Sequence, residues 1–483
     1  TKGKRRYKQK EFFALGFCTS DLRYCWGMKR TERLENKDQE EQALLLQSLL
    51  ETVRHFFGGW NAIFGKVFDA RKSHLIRYSL TSLLCTGVLM FIFRLGSRRQ
   101  IQHLLGGNKN SAEKFQALLD ILRVPHGDTL NYAFKTIPVE AVQEVICWMV
   151  QRLIRKKVLD RWRFWGYFLV TIDGSGRLTY DERHCEHCLT KKLKNGKTIY
   201  YHPVLEAKLV TSNGFALSMM SEFIENPEDL AKGDKQDCET KAFKRLTKRL
   251  KKRFPRLPLC LLLDGLFADG PSIKICEDNH WRYFIVLKDG DLLNIHRSFE
   301  VAWGASKENT KRVFLGKKSE IEQNYRWENK IKYTDTQKNV HTPNILECLE
   351  KKPGKQESKH LWLTNFIIAF KNVDMLANGG GRLRWKAENE GFNVQKNGGY
   401  NMEHTYSRDP NASKVFYLLL QIAHMIFQLM EKGSLFRKNF LKGVGSQKNI
   451  AFRLLEAWRN LQISAEEFSN FYGGRYQIRF DTS

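Results

Sequence analysis

The chain has 483 residues and carries 80 Lys and Arg against 52 Asp and Glu, a formal net charge of +28 at pH 7. Hydrophobic residues make up 42%, enough to bury cores across the two to four domains that this length allows, which excludes wholesale disorder. Such an excess of positive charge on a folded chain points to a polyanionic partner, nucleic acid before a membrane surface.

Residues 1–41 open with a basic arm (Lys2, Lys4, Arg5, Arg6, Lys8, Lys10) that has no apolar signal-peptide core. From 42 to 160 apolar residues recur at helical spacing, as in Leu44, Leu45, Leu49, Val53 and Phe57, then Phe115, Leu118, Leu119 and Leu122. With Arg71, Lys72, Arg77, Arg98 and Arg99 on exposed positions, this stretch is expected to be a helical DNA-binding region, the plainer alternative being a solvated helical face. The uncharged run 79–93 is shorter than the ~18 apolar residues that argue a membrane span. Run 415–430 contains Gln421, His424 and Gln428. Both are expected to be buried helices, with no membrane contact.

At Trp165 the period changes. Tyr167-Phe168-Leu169-Val170-Thr171-Ile172 predicts a strand that ends at Asp173 and the turn Gly174-Ser175-Gly176. Strands over 200–211 and 215–224 follow, joined by a hairpin at Ser212-Asn213-Gly214. A basic amphipathic helix is expected over 241–256, closed by Pro255 and Pro258, then a buried strand Leu259-Cys260-Leu261-Leu262-Leu263 running into Asp264-Gly265. A short helix at 272–277 and a strand at 281–287 complete the order βββαβαβ. Residues 289–359 turn polar and charged and predict an inserted, partly β subdomain. Strand 361–366, the start of a helix at 382–390 and a long helix over 414–431 come next, and a helical C-terminal region occupies 433–483. The fold class expected is multidomain α+β, with an α/β core split into 161–288 and 360–432.

Ten cysteines in this length are too scattered for a disulfide framework, so reduced thiols in a cytoplasmic setting are expected. Only Cys185-x-x-Cys188, flanked by His184 and His187, has metal-ligand spacing. His202 or Cys238 could complete a Zn²⁺ site; the alternative is a turn with ordinary buried thiols.

Asp173 and Asp264 each close a buried strand. In parallel neighbours their carboxylates would converge at the carboxyl edge of the sheet, where open α/β sheets bind ligands. Ionised carboxylates gathered there repel, and hard divalent cations relieve the repulsion. Two such ions are suited to in-line displacement at phosphorus. A third carboxylate should come from a crossing helix, and Glu388 fits because Arg384 precedes it by four residues on the same face. Nine cations without an acid (Lys241, Lys244, Arg245, Lys248, Arg249, Lys251, Lys252, Arg253, Arg256) predict a surface that tracks phosphates. If six of them engage, binding should fall with salt at a log–log slope of about −5. Trp303, Trp327 and Trp385 could stack on an unpaired base, although core packing is the commoner use of each.

These motifs resemble those of bacterial insertion-sequence transposases of the DDE superfamily, the cut-and-paste branch with a β-rich insertion before the catalytic glutamate. The resemblance spans about Asp69 to Met430. Its carriers are Thr171-Ile172-Asp173-Gly174, Lys235-Gln236-Asp237-Cys238-Glu239, Leu263-Asp264-Gly265-Leu266 and Arg384-Trp385-Lys386-Ala387-Glu388-Asn389, with Gly391-Phe392-Asn393 and Lys396 behind. It implies an RNase H-like catalytic core, Asp173, Asp264 and Glu388 as ligands of two Mg²⁺ (or Mn²⁺), and Arg384 and Lys396 on DNA phosphate near the site. It further implies double-stranded DNA partners (terminal inverted repeats and target) and a homodimer on DNA. The intervals of 91 and 124 positions between the three acids leave room for an inserted domain only in the second. One departure is Gly381, where the family signature carries tyrosine three positions before the arginine. Readings from other classes are a domesticated, non-cleaving DNA-binding protein and a metal-dependent endonuclease without strand transfer.

Overall fold

In a computed structural model of the chain the described residues are 30–72, 74, 76–228, 234–463 and 476–480; of the basic arm expected over 1–41, residues 1–29 lie outside them and residues 30–41 belong to the first helix instead. The protein is mixed α+β around one large mixed sheet. Its strands are β1 (Phe168–Tyr180), β2 (Leu189–Lys192), β3 (Thr198–Val210), β4 (Ala216–Phe223), β5 (Leu259–Leu263), β6 (Arg282–Val286), β7 (Thr310–Leu315), β8 (Ile321–Glu328), β11 (Asn344–Lys351) and β12 (Ser358–Thr364). β9 (Tyr333–Thr334) and β10 (Val340–His341) form a separate two-stranded ribbon. The sheet order is β2-β3-β1-β5-β6-β12-β11-β8-β7, and β4 shares the outer edge of β3 with β2. Among the described strands only β1–β5 and β5–β6 are parallel pairs. All five residues of β5 are buried, as a central parallel strand covered on both faces requires.

Where strands were expected they form, with three differences. β1 does not turn at Gly174-Ser175-Gly176 but runs on to Tyr180, with Gly174 opposite Leu205 and Ser175 opposite Val204. A register shift between Gly176 and Leu178 absorbs the irregularity as a bulge instead of a reversal. The short strand β2 was not anticipated. The segment expected as an inserted subdomain contributes β7, β8 and β11 to the same sheet, joined to the parallel part through the antiparallel pair β12–β6. A helix, Leu293–Ser306, precedes them.

The region expected to be helical from 42 onward holds the helices Leu80–Ile92, Lys109–Leu119, Gly127–Phe134 and Val139–Arg155, and a first helix, Arg30–Phe57, that begins before it. Their apolar residues belong to one continuous core with Val170 and Ile172 of β1, Leu261 and Leu263 of β5, and the long helix Pro410–Lys432. That helix starts from Asp409, whose side chain accepts the Ala412 N–H, with Pro410 in the first turn. It is the one described helix long and apolar enough to cross a membrane, and 94% of its apolar window is buried inside the protein, including Gln421, His424 and Gln428. Gln421 and His424 Nδ1 bond to Gln395, and Gln428 bonds the Ala216 backbone, so each polar residue that interrupts the run has an internal partner, while His424 Nε2 is buried without one. The other face of the sheet, with Leu169, Cys260, Leu262 and Phe284, packs against Phe366, Ile368, Val373 and Leu376.

Candidate active site

The register of the parallel pair builds the site. Ile172 sits opposite Leu263, so the next residues, Asp173 and Asp264, emerge side by side at the carboxyl ends of neighbouring strands. Strand alternation turns both away from the core that holds Ile172 and Leu263 and towards the segment after β12.

That segment is helical but irregular. It passes through Val373–Met375, a π turn Leu376–Gly380, a 3-10 turn Gly381–Arg384, a second π turn Ala387–Phe392 and the helix Asn393–Asn397, instead of the single helix expected from 382 onward. The glycines explain its path. Cβ atoms on Gly380 and Gly381 would lie 2.6 Å from the Phe284 ring and 2.7 Å from the Trp362 indole, so the backbone lies directly on the aromatic surface of β6 and β12. A tyrosine at 381 has no room while Trp362 fills that space.

Arg384 reaches from this segment between the two aspartates: its Nη1 donates to Asp173 Oδ2 at 3.3 Å and its Nη2 lies 3.8 Å from Asp264 Oδ1. Lys288, just past β6, donates to Asp264 Oδ2 at 2.8 Å. Two cations thus sit on two acids, and the acids respond differently. Burial, only partly offset by Arg384, raises the pKa of Asp173 above its ordinary value, with the negative charges of Asp264 and Glu388 adding to the rise. Burial would raise Asp264 too, but the Lys288 hydrogen bond, a backbone N–H from Gly265 and Arg384 bring it below the usual carboxylate range. Glu388 is exposed on the second π turn, close enough for its charge to be felt at Asp173. Its neighbour Glu390 faces elsewhere, paired with Lys386 at 3.1 Å and near Gly214.

A fourth carboxylate was not foreseen. Glu239 opens the basic helix Glu239–Arg253, half-buried, and a Cβ on Gly174 would lie 2.5 Å from its Oε1. Burial and the charges of Asp173 and Asp264 raise its pKa. The Glu239 carboxylate thus lies directly on the Gly174 backbone, beside Asp173. A cleft of about 380 Å³ opens beside Asp264, lined by Lys288, Lys359, His360, Arg382, Arg384 and Trp385. Trp385 is 46% exposed there, edge-on to His360, whereas Trp327 is in the core and Trp303 lies partly buried under Arg326.

The remaining expected contacts are divided. On the basic helix, Arg245 is tied to Glu222 and Asp237, Arg249 to Glu222 and Arg253 to Glu144. Lys241 and Lys251 donate to backbone carbonyls. Lys244, Lys248 and Lys252 are exposed at i, i+4, i+8 and form one open stripe. Lys396 pairs with Glu403 at 3.2 Å. Arg71 and Arg98, expected on an exposed helical face, are held by Asp69 and by Tyr406 O with Asp128. Of the sulfur and imidazole residues, Cys185, Cys188 and His202 come together. Cys238 does not join them: it is exposed ahead of the basic helix with its Sγ 3.1 Å from Thr240 Oγ1. No protein-family model matches the chain, and no curated protein matches it.

Proposed function

We propose that the protein is a DDE transposase that binds the ends of its element, cleaves phosphodiester bonds and joins the freed 3′-hydroxyls to target DNA. The observation that carries this reading is the side-by-side emergence of Asp173 and Asp264 from parallel β1 and β5, with Arg384 between them and the charge of Glu388 within reach. The strand order β3-β1-β5-β6, antiparallel then twice parallel, supports an RNase H-like core. The net charge of +28 supports a nucleic-acid partner. Holding two DNA ends together calls for a homodimer, acting in the cytoplasm on the nucleoid.

The donor set fits hard divalent cations: the ligands are carboxylate oxygens, burial and then the charges of the neighbouring acids hold Asp173 and Glu239 reluctant to ionise, and side-chain cations already lie on two of the acids. Asp173, Asp264 and Glu388 would hold two Mg²⁺ or Mn²⁺, with Glu239 behind them. When bound, the ions would supply Lewis acidity to the attacking water or 3′-hydroxyl and to the leaving oxygen. Arg384 and Lys288 give the cleft the positive charge that seats a phosphate, and Arg384 can present two parallel N–H groups to it. Trp385 offers a ring to a base unstacked at the DNA end, an interaction worth ~1–3 kcal/mol. The lysine stripe of the basic helix tracks backbone further along.

The test is cleavage of DNA bearing the sequences that flank the gene, with Mg²⁺ or Mn²⁺. Metal-dependent nicks at the element boundary and joined products are expected from the natural chain, and none from Glu388→Gln. Nicks without joining would leave an endonuclease, and tight binding without nicks in both proteins would leave a DNA-binding protein.

A further inference from the structure

We propose that Cys185, Cys188 and His202 form a Zn²⁺ site that pins the β1–β2 connection to β3. The three donor atoms already outline the face of a coordination tetrahedron. Cys185 Sγ and Cys188 Sγ are 3.7 Å apart, and His202 Nε2 lies 3.5 Å from the first and 3.2 Å from the second. With Zn–S near ~2.3 Å and Zn–N near ~2.0 Å, tetrahedral angles put S···S at roughly 3.8 Å and S···N at roughly 3.5 Å. Two thiolates and an imidazole are the borderline-soft donor set that selects zinc over the hard cations suited to carboxylates.

The surroundings are those of a held ligand set. The Cys185 N–H points at Cys188 Sγ at 3.4 Å, and Asn226 holds the Cys188 carbonyl at 2.9 Å. Behind the imidazole, His202 Nδ1 is buried without a hydrogen-bond partner, and Glu225 Oε1, also buried and unpartnered, lies 3.9 Å away. Glu225 is fixed in turn by Lys414. A histidine that gives Nε2 to a metal directs its Nδ1–H towards such a carboxylate, which sets its tautomer and its orientation. Among the described residues these three donors come together.

The site is separate from the carboxylates. His202 lies opposite Leu178 and Glu206 lies opposite Asp173, so the two levels are four residues apart on β3, roughly 13 Å at a strand rise of ~3.3 Å. The ion would hold residues 181–188 against β3 near the start of the long helix, where Arg177 bonds Ser413 and His184 bonds the Arg408 carbonyl. Its role is to fix the far end of the strand that carries Asp173.

The test is the metal content of the full-length protein, purified under reducing conditions without chelator. We expect one zinc per chain, retained in Cys238→Ser and in Asp173→Asn, and lost in Cys188→Ser and His202→Gln. A readout on the natural chain avoids dependence on variants that fail to fold. Alkylation followed by peptide mass mapping should find Cys185 and Cys188 protected until zinc is chelated, and cobalt replacement should give a thiolate charge-transfer band. Zinc retained in Cys188→Ser would overturn the assignment. So would natural protein without zinc, whether its Cys185 and Cys188 are freely alkylated or joined as a disulfide.

Discussion

The carboxylate cluster at the ends of β1 and β5 and the sulfur–imidazole cluster beyond the end of β1 are both compact groups of ligand-type side chains, yet they are held on opposite terms. Four acids, Asp173, Asp264, Glu239 and Glu388, share one electrostatic neighbourhood, and two basic side chains lie on them as counterions. The second cluster carries no fixed charge of its own while its thiols are protonated: burial pushes the Cys185 thiol up to about 11 and the His202 imidazole down to about 3. A site made of charges must borrow cations from the protein when it has none of its own. A site made of thiols and imidazole can close quietly.

The comparison breaks most visibly at the carboxylates. On the proposed function, Glu388→Gln or Asp264→Asn is expected to abolish DNA cleavage while sparing DNA affinity, because each would remove a metal ligand and leave the basic surface intact. Parallel cleavage and filter-binding assays measure this, and retained cleavage removes those residues from the site. Glu239→Gln is expected to cost less, about 10–100-fold, and to raise the Mg²⁺ concentration needed, as for groups that support ligands from behind.

Smaller effects sharpen the contrast between the two aspartates. Asp173 has a raised pKa, so without metal its ionised form is penalised and folding stability declines as pH rises from the ordinary aspartate value through the raised one. Asp264 has a lowered pKa, so the stability it contributes is present above the ordinary value and lost as pH falls through the lowered one. In metal-free protein at pH 7, Asp173→Asn should therefore raise the thermal midpoint and Asp264→Asn should lower it. Calorimetry in chelator, with equal shifts of one sign for both, would refute the asymmetry. The smallest effect concerns salt alone: replacing Lys244, Lys248 and Lys252 by Ala should make the log–log salt slope of DNA binding shallower by about 3.

The residues that announced the site did so because strand geometry is periodic. Two short apolar runs, each ended by Asp-Gly, implied parallel strands with acids at their tips, and the register Ile172–Leu263 realises that arrangement. Glu239 was hidden by its surroundings, because at the head of a run of cations an acid reads as a helix start. β7 was hard to see for a related reason: its residues alternate between exposed and half-buried, with none fully buried to mark an apolar face. The turn expected at Gly174 does not form because β1 stays paired with β3 through Gly174 and Ser175, and glycine alone does not distinguish a strand interior from a chain reversal. Cys185 and Cys188 were legible from spacing. His202, not Cys238, joins them because the antiparallel register of β3 returns to the end of β1, and one dimension of sequence does not carry that register.

The most direct test of the central claim is anomalous diffraction from crystals of the protein grown with Mn²⁺. The account predicts Mn²⁺ peaks between Asp173, Asp264 and Glu388, with Arg384 and Lys288 swung off the two aspartates they now hold. An occupied cleft without such peaks, with both ion pairs unchanged at high Mn²⁺, would contradict it.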